Sequence, residues 1–368
     1  MQIRRNPYTY ATWLGGELGI ISPRDGRSRI AIGHGVVRLV SQLDEWTTVD
    51  DVLARYADGD EPRLLNVIDQ LVEHDVLLTC VNHLRPGEAQ APWTDWGGVA
   101  RLFHRHARDA PYLTDPEEKS AYAKTLAERD LPPAGKSIDG ADVLPMPRRL
   151  MRGDRPFEEV LFARRTHRQF TPEPMSVAEL ATLLHWVFAP QEFADGEDFG
   201  TVELRTSPNG GARHETEAYI VAYDVEDVPP GTYHYNGRAH VLERMGDPIE
   251  RDELRHLTYN SRVPATAPVV VLVSAVIERI SYKYRDGRAY RLWMYNVGHV
   301  GQTFALTATC LGLGAFQTAA FRDSEVDKRL GLDGENEFVS YVLACGRVES
   351  LSRPRDVAPA TPQKEGSR

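Results

Sequence analysis

SYKYRDGRAYRLWMYNVGHVGQTFALTATCLGLG, residues 281–314, places a lysine–tyrosine pair, Lys283-Tyr284, followed by Asp286, Arg288 and Arg291, ahead of a helix rich in small residues. In that helix Val297, Val300, Phe304, Ala308 and Leu311 recur along one stripe, so one side is built to lie on a core. An amine beside a phenol is what a proton-transfer step requires. The dipeptide alone says little; its setting makes it readable.

Working outward, residues 268–277 form a near-continuous β-branched run, which predicts a buried central strand. Residues 217–225 read as another strand. Tyr233-His234-Tyr235 and Val241-Leu242 flank Asn236-Gly237, a strong short-range hairpin signal. Residues 338–345 supply a final strand. Helices are expected over 157–164 and after Ser176, where Glu179 completes a capping box and Leu180, Leu183, Leu184 and Val187 share a face. Helices mixed with hairpins predict an α+β layered domain over residues 151–348 rather than a doubly wound sheet.

Residues 1–85 read as a smaller domain. Ile30-Ala31-Ile32 suggests a short strand, and Val36, Leu39, Val40 and Leu43 a helix. A second helix, 49–56, opens at Thr48 with Asp51 three residues on. A third covers 61–74, and Val76-Leu77-Leu78 closes the set as a strand. This order suggests a winged-helix-like module. From Ser41 to Asp75 there are ten acids against Arg55 and Arg63, which argues against a phosphate-binding face and for a peptide-binding one. Residues 86–150 are interrupted by prolines and read as a connector, with one helix over 98–108; residues 349–368 read as a polar arm or tail.

The chain has 368 residues and a net charge of −10, which disfavours general nucleic-acid or anionic-membrane binding. It has no apolar run of membrane-spanning length and no signal-peptide pattern. Cys80, Cys310 and Cys345 lie far apart, giving no disulfide framework and no metal-ligand spacing. A cytoplasmic location is the expectation.

Three further stretches can carry chemistry. Arg164-Arg165-Thr166-His167-Arg168-Gln169-Phe170 gathers three arginines and a hydroxyl, a phosphate cradle in composition. In Arg205-Thr206-Ser207-Pro208-Asn209-Gly210-Gly211-Ala212 the glycines let backbone amides approach a flat ligand. Gly312-Leu313-Gly314 is a helix end that admits a ring system. Taken singly, each has an ordinary reading as a solvated patch, a turn or a helix cap.

In this order the stretches resemble the nitroreductase-like flavin oxidoreductases, and among them the SagB-type dehydrogenases of peptide maturation. RRTHRQF resembles R-R-S-x-R-x-F, with Thr166 at the serine. SPNGGA resembles P-S-G-G-A, with Asn209 at the serine. KYRDGRAYR and NVGHVGQ resemble K-Y-x-x-R-x-x-R and D-A-G-H-x-x-Q, with Gly287 inserted and Asn296 in place of aspartate. Residues 1–85 are similar to the winged-helix segment that precedes many such dehydrogenases.

The resemblance implies a nitroreductase-like fold, a central mainly antiparallel sheet flanked by helices, that binds FMN between the subunits of a homodimer. It implies that Arg164, Arg165, Thr166 and Arg168 hold the phosphate and ribityl chain. Pro208, Asn209, Gly210 and Gly211 would line the ring system, Gly312 and Gly314 would pack near its other end, and a late arginine, Arg353 or Arg355, would reach the phosphate. No metal is expected. Lys283 and Tyr284 are the catalytic candidates, with Arg285, Arg288 and Arg291 expected to depress the lysine pKa. His299 is read as structural or at the cofactor edge. The leading expectation is oxidation of thiazoline or oxazoline to the azole in a ribosomally made precursor peptide, beside a cyclodehydratase or another peptide-modifying enzyme. The alternatives are a flavin-dependent reductase of dehydroamino acids or nitro compounds, and a non-catalytic scaffold.

Overall fold

The computed structural model describes residues 1–14, 16–80, 93–196 and 200–351. The chain divides into two compact units, Met1–Tyr112 with Asp286–Arg288, and Leu113–Arg285 with Ala289–Arg368. The boundary expected at residue 85 lies outside the described residues.

The first unit runs β1 (Gln2–Arg5), β2 (Tyr10–Leu14), β3 (Glu17–Ile21), β4 (Arg29–Ala31), α1 (His34–Ser41), β5 (Thr47–Thr48), α2 (Val49–Tyr56), α3 (Glu61–Glu73), β6 (Leu77–Thr79) and α4 (Trp93–His106). Two antiparallel three-stranded sheets result, ordered β5-β1-β6 and β2-β3-β4. Thr48 caps α2 by accepting from the Asp51 N–H, as its spacing predicts. Ile3, Leu39, Val52, Ile68, Leu71 and Leu77 fill the core. β1 and the β2–β3 hairpin add to the sequence reading. β1 is four residues long and carries Arg4 and Arg5, too little alternation to register as a strand.

The second unit opens with α5 (Pro116–Ala127), β7 (Val143–Pro145), α6 (Phe157–Ala163), α7 (Val177–Phe188), β8 (Glu192–Asp195) and β9 (Thr201–Leu204). It continues with β10 (Thr216–Ala222), β11 (Gly231–Asn236), β12 (Val241–Gly246), α8 (Arg251–Leu257), α9 (Arg262–Thr266), β13 (Val269–Val276), α10 (Ile277–Lys283), α11 (Tyr290–Cys310), β14 (Gly314–Thr318), α12 (Asp323–Leu330) and β15 (Glu337–Gly346). A seven-stranded sheet, β14-β15-β13-β10-β11-β12-β7, is antiparallel at every pairing. β10 shows how it divides two cores. Ala218, Ile220 and Ala222 face the layer of α7 and α11, while Tyr219 and Val221 face the layer of α8 and α12. The architecture is α+β, a central antiparallel sheet flanked by helices.

Two readings change. The loop at Asn236-Gly237 spans four residues, 237–240. Asn236 Oδ1 accepts from the Ala239 N–H, and His240 takes a left-handed φ of 56°, which closes a longer loop than a two-residue turn. The Pro-rich stretch is also more than a connector. Asp115 caps α5, and β7 pairs with β12 as an edge strand of the large sheet. Three residues carry no periodicity, and an edge strand accommodates proline, so β7 gave no signal. Among the described residues no helix is long and apolar enough to cross a membrane.

Candidate active site

In the second unit α11 organises the site, packing against α6, α7 and β14. It grips the loop of residues 205–212 by three side chains. Asn296 Oδ1 accepts from the Gly210 N–H at 3.2 Å, His299 Nδ1 donates to the Pro208 carbonyl at 3.1 Å, and Thr303 Oγ1 accepts from Ser207 Oγ at 2.6 Å. Ser207 and Asn296 are buried, while His299 is exposed. Gly211 has φ +86°, and a Cβ there would lie 2.9 Å from Tyr284 Oη and 3.3 Å from Lys283 Cδ. Both its backbone and its neighbours therefore require glycine.

The same contact brings Lys283 and Tyr284 to the glycine loop. Lys283 ends α10 and Tyr284 caps it. Their position is braced from α5, where Tyr122 Oη donates to the Lys283 carbonyl at 3.3 Å, and Tyr282 Oη donates to the Leu126 carbonyl at 2.8 Å. Burial pulls the Lys283 pKa below its ordinary value, and the positive charge of Arg213 adds to the effect. The expectation that Arg285, Arg288 and Arg291 depress it is corrected, because the cation acting on Lys283 is Arg213. Arg213 is buried and donates to the Pro132 carbonyl at 2.8 Å, so its place is set by the Pro-rich stretch, far off in sequence.

Arg164 follows α6, and residues 166–167 run beside β14. Thr166 bridges Ala315, and the His167 N–H donates to the Ala315 carbonyl at 2.8 Å. The arginine stretch and the Gly312-Leu313-Gly314 turn thus meet. Arg165, Thr166 and Arg168 are exposed and Arg164 is half-buried. Arg165 donates to the carbonyls of Phe162 and Arg164. Among the described residues none of these arginines forms an ion pair. Gly312, at φ +84°, ends α11 in the left-handed conformation. Gly314 serves packing, since a Cβ there would meet His167 Cγ at 2.8 Å. Arg353 and Arg355 lie outside the described residues.

The donor set suits FMN. Three cationic forks without an acidic partner among the described residues fit a phosphate. A glycine loop that accepts no side chain fits the approach of a flat ring. His167 Nε2 and Asn209 Oδ1 are buried with no hydrogen-bond partner among the described residues. One participant escaped the sequence reading. Glu215 lies fully buried behind the loop, accepting from Asn209 Nδ2 at 2.7 Å and Asn296 Nδ2 at 3.2 Å. Nothing in the spacing of GGARHETE singles out Glu215 as a partner of the loop.

A fold of this kind with this loop and this arginine cluster defines a flavin oxidoreductase. The nitroreductase family profile matches residues 161–347, and the chain belongs to that family. It is an FMN-binding oxidoreductase. MJ1384 of Methanocaldococcus jannaschii, which carries a provisional nitroreductase name, is 33% identical over 190 residues, covering 52% of this chain and 90% of that protein. The trifolitoxin-processing protein TfxB of Rhizobium leguminosarum bv. trifolii is 30% identical over 185 residues, 49% of each chain. The microcin B17-processing protein McbC of Escherichia coli is 30% identical over 141 residues, 37% of this chain and 51% of that one. The match spans about half the length of the two processing proteins.

Proposed function

We propose that the chain is a flavin-dependent reductase of an unsaturated or nitro substrate, with Lys283 and Tyr284 handling the proton. The observation that carries this reading is the lysine–phenol pair braced against Gly211 with a depressed lysine pKa. Bound FMN supplies hydride exchange with the substrate. Arg164, Arg165, Thr166 and Arg168 hold its phosphate and ribityl chain, residues 208–211 its ring system, and Gly312 and Gly314 the turn beside them. Lys283 and Tyr284 deliver or orient the proton, and the loop positions the reacting face. The reductive direction comes first because the relative matched over most of its length carries a nitroreductase name.

The second reading is the peptide-maturation dehydrogenase, in which Lys283 removes a Cα proton from an azoline. The likeness to two bacteriocin-processing proteins favours it. On this reading the first unit is a winged-helix-like module that binds the precursor peptide beside a cyclodehydratase. A homodimer suits both readings, since α6 and α11 pack together and leave Phe157, Phe162, Tyr290 and Tyr295 exposed.

The deciding experiment mixes the oxidised protein anaerobically with NAD(P)H or with an azoline-containing peptide and follows flavin absorbance. Bleaching by NAD(P)H, followed by reoxidation with a nitroarene or dehydroamino acid, supports the reductase. Bleaching by the azoline peptide alone supports the dehydrogenase. No bleaching by either contradicts both and leaves the scaffold reading.

A further inference from the structure

We propose that Glu215 is a positioning residue of the cofactor cradle, clamping the loop of residues 208–211 to α11 through the side chains of Asn209 and Asn296. The inference rests on the cradle proposed above. Glu215 is 0% exposed and directly precedes β10, with its own carbonyl held by the Val276 N–H at 2.8 Å. One carboxyl oxygen, Oε2, accepts from both Asn209 Nδ2 and Asn296 Nδ2. Asn296 is thereby turned so that its Oδ1 meets the Gly210 N–H. A single buried oxygen sets the flip of two amides and, through one of them, the aim of a backbone N–H in the glycine loop.

Asn209 and Asn296 are also two of the positions where this chain departs from the motifs it resembles. The clamp explains both departures. A carboxylate at 296 would set a second acid against Glu215 in a buried site, where like charges oppose ionisation. An amide both donates to Glu215 and accepts from Gly210, which a carboxylate cannot do. A serine at 209 is one atom shorter and lacks the amide that reaches the carboxyl. Asn209, Glu215 and Asn296 therefore form one interdependent set. Burial also pushes the Glu215 pKa up against the lowering effect of the two amides.

The test measures amide hydrogen exchange across 209–211 in the flavin-free chain, and the FMN dissociation constant, for Glu215→Ala, Glu215→Gln, Asn296→Asp and the Gln/Asp double variant. With two buried hydrogen bonds lost, Glu215→Ala should speed exchange at Gly210 and weaken FMN by about tenfold or more. Glu215→Gln keeps an oxygen for both amides and should stay within about threefold of the parent. Asn296→Asp alone should weaken FMN by about tenfold, and adding Glu215→Gln, whose amide can donate to the aspartate, should restore most of the loss. Unchanged exchange in Glu215→Ala, or additive effects of Asn296→Asp and Glu215→Gln, would overturn the clamp. If exchange at Gly210 responds to Glu215 while removal of Arg164 and Arg168 leaves FMN binding unchanged, the clamp stands and the cradle reading fails.

Discussion

Two polar clusters of the second unit put arginine to opposite ends. Beneath β10, β11 and β12, Glu217 pairs with Arg279 at 2.6 Å and with His234 Nε2 at 3.1 Å, while His234 Nδ1 meets Glu243 at 2.9 Å. Glu243 also accepts from Ser137, the Ile138 N–H and Asn236. In this closed cluster each charge meets its complement, and His234 is fully buried. Arg164, Arg165 and Arg168 gather at the surface with no acid paired to them among the described residues. A closed cluster spends its charges on holding strands together, whereas an open one keeps them for a ligand. Charge density alone does not separate the two; pairing does.

That contrast fails if the clusters respond alike to mutation. The largest expected effect is on turnover. Lys283→Ala should lower single-turnover flavin reduction or reoxidation by about 10²–10⁴-fold while FMN stays bound, because a positioned acid or base is lost and the cradle is not. Wild-type rates would move the proton-transfer role toward His299. The pH dependence sharpens the assignment. If Lys283 acts as a base, rates rise with pH through its depressed pKa, below the ordinary 10.5, and the rise disappears in Lys283→Ala.

Next in size is Arg279→Ala, which leaves buried Glu217 with His234 as its remaining partner and should cost about 3–5 kcal/mol of stability in denaturant unfolding. Any flavin loss should follow from unfolding rather than precede it. The pH dependence of stability gives a further check. Burial opposes ionisation of Glu217, but Arg279 and His234 outweigh it and bring its pKa down to about 2. A depressed carboxyl pKa contributes stability above the unfolded value near 4.5, lost as pH falls toward 2. Burial likewise disfavours charged His234, but Glu217 and Glu243 raise its pKa. That contribution is full below 6.5 and lost as pH rises through the raised value. Thermal melts across pH should therefore show His234→Asn flattening the alkaline limb and Glu217→Gln the acid limb. The smallest effect is expected at a helix cap. Ser176→Ala should lower stability by about 1 kcal/mol with FMN affinity unchanged.

These elements also show what could be read in advance. The capping box at Ser176, the β-branched run of β13 and the stripe of α11 are local patterns, and each became the element its residues dictate. The three candidate stretches stood out because glycine, arginine and the lysine–tyrosine pair cluster within a few residues. Glu215 and Arg213 were not, since each acts on partners from other elements and neither makes a pattern with its neighbours. β7 and α5 stayed hidden behind prolines that end elements without removing them from the fold. The cation that tunes Lys283 was sought among adjacent arginines, but folding supplies it from Arg213, which directly follows the glycine loop.

The most direct measurement is FMN binding by Arg164→Ala/Arg168→Ala, read beside the melting temperature of the flavin-free protein. Charge-assisted phosphate contacts are worth about 1.5–3 kcal/mol each, so the dissociation constant should rise by about 10²-fold or more. The melting temperature should hold, because among the described residues neither arginine has a charged partner to leave behind. Full FMN affinity in the double variant would contradict the assignment of the open cluster to the flavin phosphate.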